Sequence, residues 1–465
     1  MSSVRTWCKV MLLGTCMLAA GARAQTLAAR CAGPPSAPVA PSLAREPTVQ
    51  DYEQILKRQP VSGRDHFDHG VLHERMGQHA DAIRDYSSAI SLDPCLAQAW
   101  ERRGAAQASM GQFELAAKDL DEAIRIAPNS PSARVNRGAI FEAAGEHARA
   151  LAEFSRAVAL DPRFANAYVR RGGSYEITGD LERAIQEYTE AIRINPGEAQ
   201  AFFFRGRTFI RQRQFERALD DLNQAITIDP RDARAFQSRA AVYAAMGDNP
   251  RAIQDYSAAI RLDSQYALAF QGRGDAHARS GQPDSAMQDY TEAIRINPKN
   301  AYAHHSRGLA RAGKRDYPRA IEDLTEAIRL KPDFGAAFRN RGMYQQKLDQ
   351  LERALADFDA AVRLDARDTI ALNELAWLLA TSRQPQFRDG KRAVESAQAA
   401  CNITGWKVPG LFDTYAAALA EAGRFADAVK WQEAALESPE FARAHGAGAR
   451  ERLRLYREGK PYREQ

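Results

Sequence analysis

The sequence predicts an all-α chain, a solenoid of tandem helix–turn–helix units in place of one compact core. Three observations carry this. Small residues recur every thirty-four positions, most periods end on a proline, and larger apolar residues fall between at helical spacing. Ala82, Ala116, Ala150, Ala184, Ala218, Ala252, Ala286, Ala320 and Ala354 form one series. Seven residues after each stands a second alanine, from Ala89 through Ala191 to Ala361. Twelve residues before each stands glycine, as at Gly70, Gly172 and Gly342, with Ala240 the exception. Nine such repeats run from Gly63 to Asp368. A length of 465 residues is unusual for one core, whereas a solenoid grows by addition.

Within a repeat, each element has its own cause. A second glycine, as at Gly77, Gly111, Gly145, Gly179, Gly247 and Gly281, stops the first helix in the left-handed region. Proline, as at Pro94, Pro196 and Pro332, ends the second helix, because its ring clashes one turn back and it offers no N–H. Alanines and first glycines mark close helix contacts. Tyr168, Tyr175, Leu181, Ile185, Tyr188 and Ile192 form the apolar stripe of the fourth repeat.

The pattern resembles the tetratricopeptide repeat family over about two thirds of the chain. The resemblance implies a right-handed α-superhelix with the first helices lining a concave groove that holds extended peptides or partner helices. It places Asn166, Val169, Glu176 and Ile177 of repeat four on the ligand side, with Gln200, Phe203, Arg207, Ile210 and Arg211 of repeat five and Arg234 and Gln237 of repeat six. The helix Ala201 to Gln212 is expected to expose Phe203, Phe204, Arg207 and Arg211 together, the residue types enriched at interface hot spots.

Outside the regular repeats the chain reads differently. Residues 1–24 are expected to form a signal peptide cleaved after Ala24: Arg5 and Lys9, an apolar run, then Ala22-Arg23-Ala24. Leu13-Gly14-Thr15-Cys16 only faintly resembles a lipobox, since threonine precedes the cysteine. No membrane span is expected after cleavage, and the protein is expected in the periplasm or secreted. Losing Arg5, Lys9 and Arg23 lowers the formal net charge from +5 to about +2, which removes support for nucleic-acid binding. Residues 25–62 read as a proline- and alanine-rich linker with a short helix around Asp51 to Arg58. After Asp368 the register is expected to slip into two divergent repeats over 369–441, then a basic capping helix and tail over 442–465. Export permits disulfides, and Cys31 with Cys95 is one candidate pair.

Two constellations invite chemistry. Arginine stands immediately before the first-helix small residue in repeats two to nine, and an acid follows sixteen residues on: Arg171 with Glu187 and Arg205 with Asp221 are examples. The one-to-one pairing predicts an inter-helix salt bridge in preference to an arginine ladder for acidic ligands. His66, His69 and His73 stand at zinc-compatible spacing on one helix, but they replace residues expected to face the second helix, so packing is the favoured reading. No phosphate loop, GxSxG elbow or CxxC occurs, and no other region could host an active site. A non-enzymatic scaffold without cofactors, holding a protein or peptide partner, is the expected function. The alternative is a spacer or homo-oligomeric envelope subunit that assembles through its end repeats.

Overall fold

The computed structural model describes Gln54, Leu56, Lys57 and residues 59–464. The expected signal peptide, nearly all of the linker with its short helix, and Cys31 lie outside the described residues. Among those described there are twenty-three α-helices, one 3-10 turn and no strand. The chain divides into two compact units after Pro230.

The first unit holds α1 Gly63–Arg75, α2 His79–Leu92, α3 Ala97–Ser109, α4 Phe113–Ile126, α5 Pro131–Ala143, α6 His147–Leu160, α7 Ala165–Ile177, α8 Leu181–Ile194, α9 Ala199–Arg211 and α10 Phe215–Ile228. The second holds α11 Ala233–Ala245, α12 Asn249–Leu262, α13 Ala267–Arg279, α14 Pro283–Ile296, α15 Ala301–Gly313, α16 Tyr317–Leu330, α17 Gly335–Lys347 and α18 Leu351–Leu364. It ends with α19 Thr369–Thr381, the 3-10 turn Pro385–Phe387, α20 Gly390–Ile403, α21 Pro409–Glu421, α22 Phe425–Leu436 and α23 Pro439–Arg457. Odd-numbered helices up to α21 are the first helices of their repeats. Within each unit a first helix packs on its own second helix, and successive first helices also touch.

The glycine at each first-helix contact is explained by what lies over it. A Cβ on Gly172 would stand 2.7 Å from the Tyr188 ring, and one on Gly138 would stand 2.5 Å from Phe154. Where the second helix offers leucine, as Leu222 does to Gly206, the gap widens to 3.1 Å. Ala240 breaks the glycine series, and its repeat finds room elsewhere. A Cβ on Gly272, in the following first helix, would stand 2.4 Å from the Tyr256 ring. The aromatic still packs, against a glycine borrowed from the next repeat.

The turns need a left-handed residue whether or not glycine is present. Gly179 takes φ +85, and the non-glycine Arg213, Arg315 and Asp349 take φ 60, 63 and 56 in equivalent turns. For a residue with a Cβ this costs roughly 1–2 kcal/mol.

The C-terminal repeats depart from the sequence expectation in one respect. The register holds through α19, which starts thirty-four residues after α17, and slips only in the longer turn over 382–389. That turn closes on the 3-10 segment and on the Asp389 N–H, which donates to the Leu379 carbonyl at 3.0 Å. Helix α19 is buried on most sides because α18, α20 and α21 all pack against it. Cys401 is a buried free thiol, and burial pushes its pKa up to about 12.

Adjacent glycines in α7 should respond oppositely. Gly172→Ala drives a methyl into Tyr188 and is expected to destabilise by about 1–3 kcal/mol. Gly173, where a Cβ meets only the Tyr188 hydroxyl at 3.9 Å, should gain up to about 1 kcal/mol as alanine through helix propensity. Urea unfolding midpoints of the two variants check both signs.

Candidate functional site

The arginine before the first-helix small residue is held three ways in Arg205, Arg273 and Arg341. Arg205 Nε and Nη2 donate to Asp221 Oδ2 and Oδ1, both at 2.8 Å, while Nη1 donates to Thr189 on the preceding second helix at 3.0 Å. Its guanidinium carbon lies 5.8 Å from the Phe202 ring centre. Arg273 repeats this with Asp289, Ser257 and Phe270, and Arg341 with Asp357, Thr325 and Phe338. Arg171 reaches Glu187 at 2.9 Å, a longer acid, and burial nonetheless raises the Glu187 pKa. The clamp therefore ties a first helix to its own second helix and to the repeat before it. A buried, hydrogen-bonded ion pair of this kind is costly to break, and in Arg205, Arg273 and Arg341 it engages every guanidinium nitrogen.

The clefts beside these clamps are likewise neutralised. One, of about 810 Å³ across α14, α15 and α16, is lined by Arg307, Arg311, Lys314 and Arg319. Arg307 and Arg311 are paired with Asp323, Lys314 with Asp284, and Arg319 with Asp316.

In the first repeat His69 stands in the arginine position. His66 Nδ1 and His73 Nε2 approach opposite oxygens of Asp85, each at 3.5 Å, while burial lowers the pKa of His69. His73 Nδ1 is engaged by Gln78 at 2.6 Å. Among the described residues no group of three or more His, Cys, Asp or Glu side chains is arranged to hold a metal ion. Of the weak metal candidate His66, His69 and His73, the first and last thus approach one carboxylate, Asp85.

On the first-helix face of the first unit, the residues named from sequence fall into two groups. Val169 and Phe203 are buried at 3% and 4% exposure, because successive first helices meet there. The expectation that Phe203 is displayed to a ligand is therefore corrected: its ring tilts against Phe204, 5.2 Å between centres, and Phe204 stacks on Tyr188. Arg207 and Arg211 do reach the surface, with 45% and 46% of their side chains exposed. Both turn toward Glu176, at 3.6 and 3.4 Å, and Arg211 also donates to the Glu176 carbonyl at 3.1 Å. Beside them Gln200 is exposed, Asn166 and Ile210 are half-buried, and Ile177 is 56% exposed. Glu176 also accepts from the Tyr188 hydroxyl at 3.2 Å, and burial together with that carboxylate pushes the tyrosine pKa up.

An acid row on this face was not singled out from the sequence. Glu74, Glu142 and Glu176 share one register position, the twelfth of their first helices, and the period alone could have found them. Glu74 takes Tyr86 at 2.7 Å and Arg102 at 3.2 Å, and Glu142 takes Ser174 at 3.0 Å.

In the second unit, Arg234 is exposed but its guanidinium is held by Asp232 at 2.9 and 2.7 Å. Gln237 is half-buried and accepts from the Tyr266 hydroxyl at 3.5 Å. His305, at the register position of Phe203, lies on Phe334 with 4.7 Å between centres and meets Asn340 at 3.0 Å. Burial, helped by Arg339, lowers its pKa to about 4. No helix among the described residues is long and apolar enough to cross a membrane.

Comparison with known proteins places these features. A tetratricopeptide repeat model matches residues 67–131, 135–199, 179–233 and 305–368, and a second TPR repeat model matches 241–281 and 274–315. Among curated proteins none matches by sequence. Of solved structures, YrrB, described as a TPR protein with an unusual peptide-binding site, is 22% identical, with 40% of this chain and 97% of that one covered and a TM-score of 0.35. A tetratricopeptide repeat protein from Parabacteroides merdae is 18% identical over 56% of this chain and 99% of its own, TM-score 0.41. The APC/C hetero-tetramer Cut9-Hcn1 is 16% identical over 77% and 76%, TM-score 0.46.

Two outcomes follow from the geometry. Arg205→Ala strands a nearly buried Asp221 and is expected to cost about 3–5 kcal/mol without removing ligand binding; urea titration beside a binding assay reads both. His305 binds its proton only near pH 4 when folded, against about 6.5 when unfolded, so its stability contribution is complete above about pH 6.5 and is lost as pH falls toward 4. Between pH 7 and 4.5, His305→Phe should lose about 2 kcal/mol less than the unaltered chain, measured as urea midpoints.

Proposed function

Since the chain belongs to the tetratricopeptide repeat family, whose members generally mediate protein–protein interaction, we propose that it is a non-enzymatic scaffold for an extended protein segment. In this reading the segment lies on the first-helix face, where Arg207 and Arg211 receive an acidic side chain and Ile177 an apolar one. The observation that carries it is the pair of half-exposed guanidiniums in adjacent turns of α9. They share one carboxylate, Glu176, while the clamp guanidiniums of Arg205, Arg273 and Arg341 donate through every nitrogen. One acid facing two guanidiniums leaves donor capacity for a second acid, and Arg favours bidentate carboxylate recognition. A preformed stack of helices loses little entropy on docking, which supports binding through few contacts.

We further propose that the protein works outside the cytosol. The leader-like residues 1–24 motivate this, and Cys95 is disulfide-bonded, a state that favours an oxidising compartment.

A display library of extended twelve-residue peptides tests the site. Selected peptides are expected to carry an acid beside an apolar residue. Arg207→Ser/Arg211→Ser should weaken them about 10–100-fold with an unchanged circular dichroism spectrum, as two charge-assisted hydrogen bonds would require. Equal binding by wild type and variant would move the site off this face.

A further inference from the structure

The first helices of the last two repeats carry a second, differently built surface. In α19, Trp377, Ala380 and Thr381 occupy the register positions of Arg207, Ile210 and Arg211 in α9. In α21, Asp413 and Glu421 occupy those of Phe203 and Arg211. On this surface lies part of the same chain. After α23 the backbone turns at Gly459, φ +70, and residues 460–464 run back without helix or strand.

Each of the three residues Tyr462, Arg463 and Glu464 is read separately. The Tyr462 ring lies 6.1 Å from that of Trp377, and the Arg452 guanidinium sits 5.4 Å from both. Arg463 Nη2 pairs with Glu421 Oε2 at 2.6 Å, and Nη1 donates to the Ala380 carbonyl at 3.2 Å. Glu464 Oε2 accepts from Trp377 Nε1 at 3.2 Å. The backbone is held too: the Glu464 N–H donates to Thr381 at 2.9 Å, and its carbonyl accepts from Arg383 Nε at 2.5 Å.

The receiving side is organised by contacts of its own. Arg452 donates twice to Asp413, at 2.9 and 2.8 Å, and Gln432 donates to the same carboxylate at 2.6 Å. Arg388 approaches Glu421 at 3.5 Å. All three of these helix-borne polar groups, Asp413, Arg452 and Gln432, are buried, whereas residues 461–464 remain half-exposed. A preorganised surface under a lightly attached segment is how a ligand site looks when its ligand is tethered. Two backbone bonds and partial exposure place the segment at the low end of local stability.

We propose that residues 460–464 are an intramolecular ligand. They occupy a site on α19 and α21 that takes, from a partner protein, an extended segment bearing an aromatic residue, an arginine and an acid in succession. A tether gives the resident segment an effective concentration near the millimolar range, so it masks weak competitors and yields to tight ones. This site is independent of the Arg207 and Arg211 face, and either proposal can fail alone.

The test uses the fluorescein-labelled peptide Lys-Pro-Tyr-Arg-Glu-Gln and anisotropy. Three proteins are compared: the full chain, a chain ending at Gly459, and a full-length Tyr462→Ala/Arg463→Glu variant, which opens the site even if the shortened chain fails to fold. The opened proteins are expected to bind saturably and at least about tenfold tighter than the full chain, as displacement of a tethered competitor requires. Adding Glu421→Lys to an opened protein, or replacing the peptide's arginine by glutamate, should abolish binding. The proposal is overturned if folded, opened protein binds no better than the full chain, or if Glu421→Lys leaves affinity unchanged. It is also overturned if sedimentation shows the full chain exchanging this segment between two copies, which would give the site to self-association.

Discussion

One interaction recurs along the stack, complete in repeats two, five, seven, eight and nine: a guanidinium fixed by an acid on its own second helix and by a hydroxyl on the previous one. Arg205 with Asp221 and Thr189 is the pattern. Burying this charge is tolerable only because every donor it turns inward is met. The close approach that makes burial feasible comes from glycine under Tyr188, Phe154 or Tyr290, where a single methyl would collide. Clamp and small-residue contact thus depend on each other. The hydrophobic seam brings the helices near enough for the ion pair, and the pair's geometry permits one spacing.

This arrangement leaves much of the first-helix face outside the clamp. Some side chains on it, such as Val169 and Phe203, join successive first helices, while others, such as Ile177 and Gln200, stay exposed. In the first unit the face offers Glu74, Glu142 and Glu176 with Arg102, Arg207 and Arg211, a surface of shared charges. At the end of the second unit it offers Trp377 and Glu421, which the chain's own Glu464 and Arg463 engage, beside Asp413, which Arg452 holds.

Much of the fold was legible because its physics is periodic. Alanine, glycine and proline every thirty-four residues specify contacts and stops that each repeat must make separately. What escaped were features in which one repeat compensates another. Gly272 relieves Tyr256 across a repeat boundary, and no pattern within either repeat announces it. Phe203 looked displayable on one helix and is buried by the neighbouring helix. The turn after α19 hides the register because its extra residues follow an in-register helix. The docking of Tyr462 on Trp377 links residues eighty-five apart outside the period, so only coordinates reveal it. The acid row, by contrast, is periodic: Glu74, Glu142 and Glu176 share one register position.

The claim that the clamp is a structural bond and not a ligand site is tested most directly by a double-mutant cycle on Arg273 and Asp289, the half of it that joins the two helices of one repeat, in urea. The account predicts a coupling energy of about 2–3 kcal/mol, with the double alanine variant more stable than the sum of single losses implies. A coupling near zero, with each single change costing under about 0.5 kcal/mol as at an ordinary surface position, would contradict it.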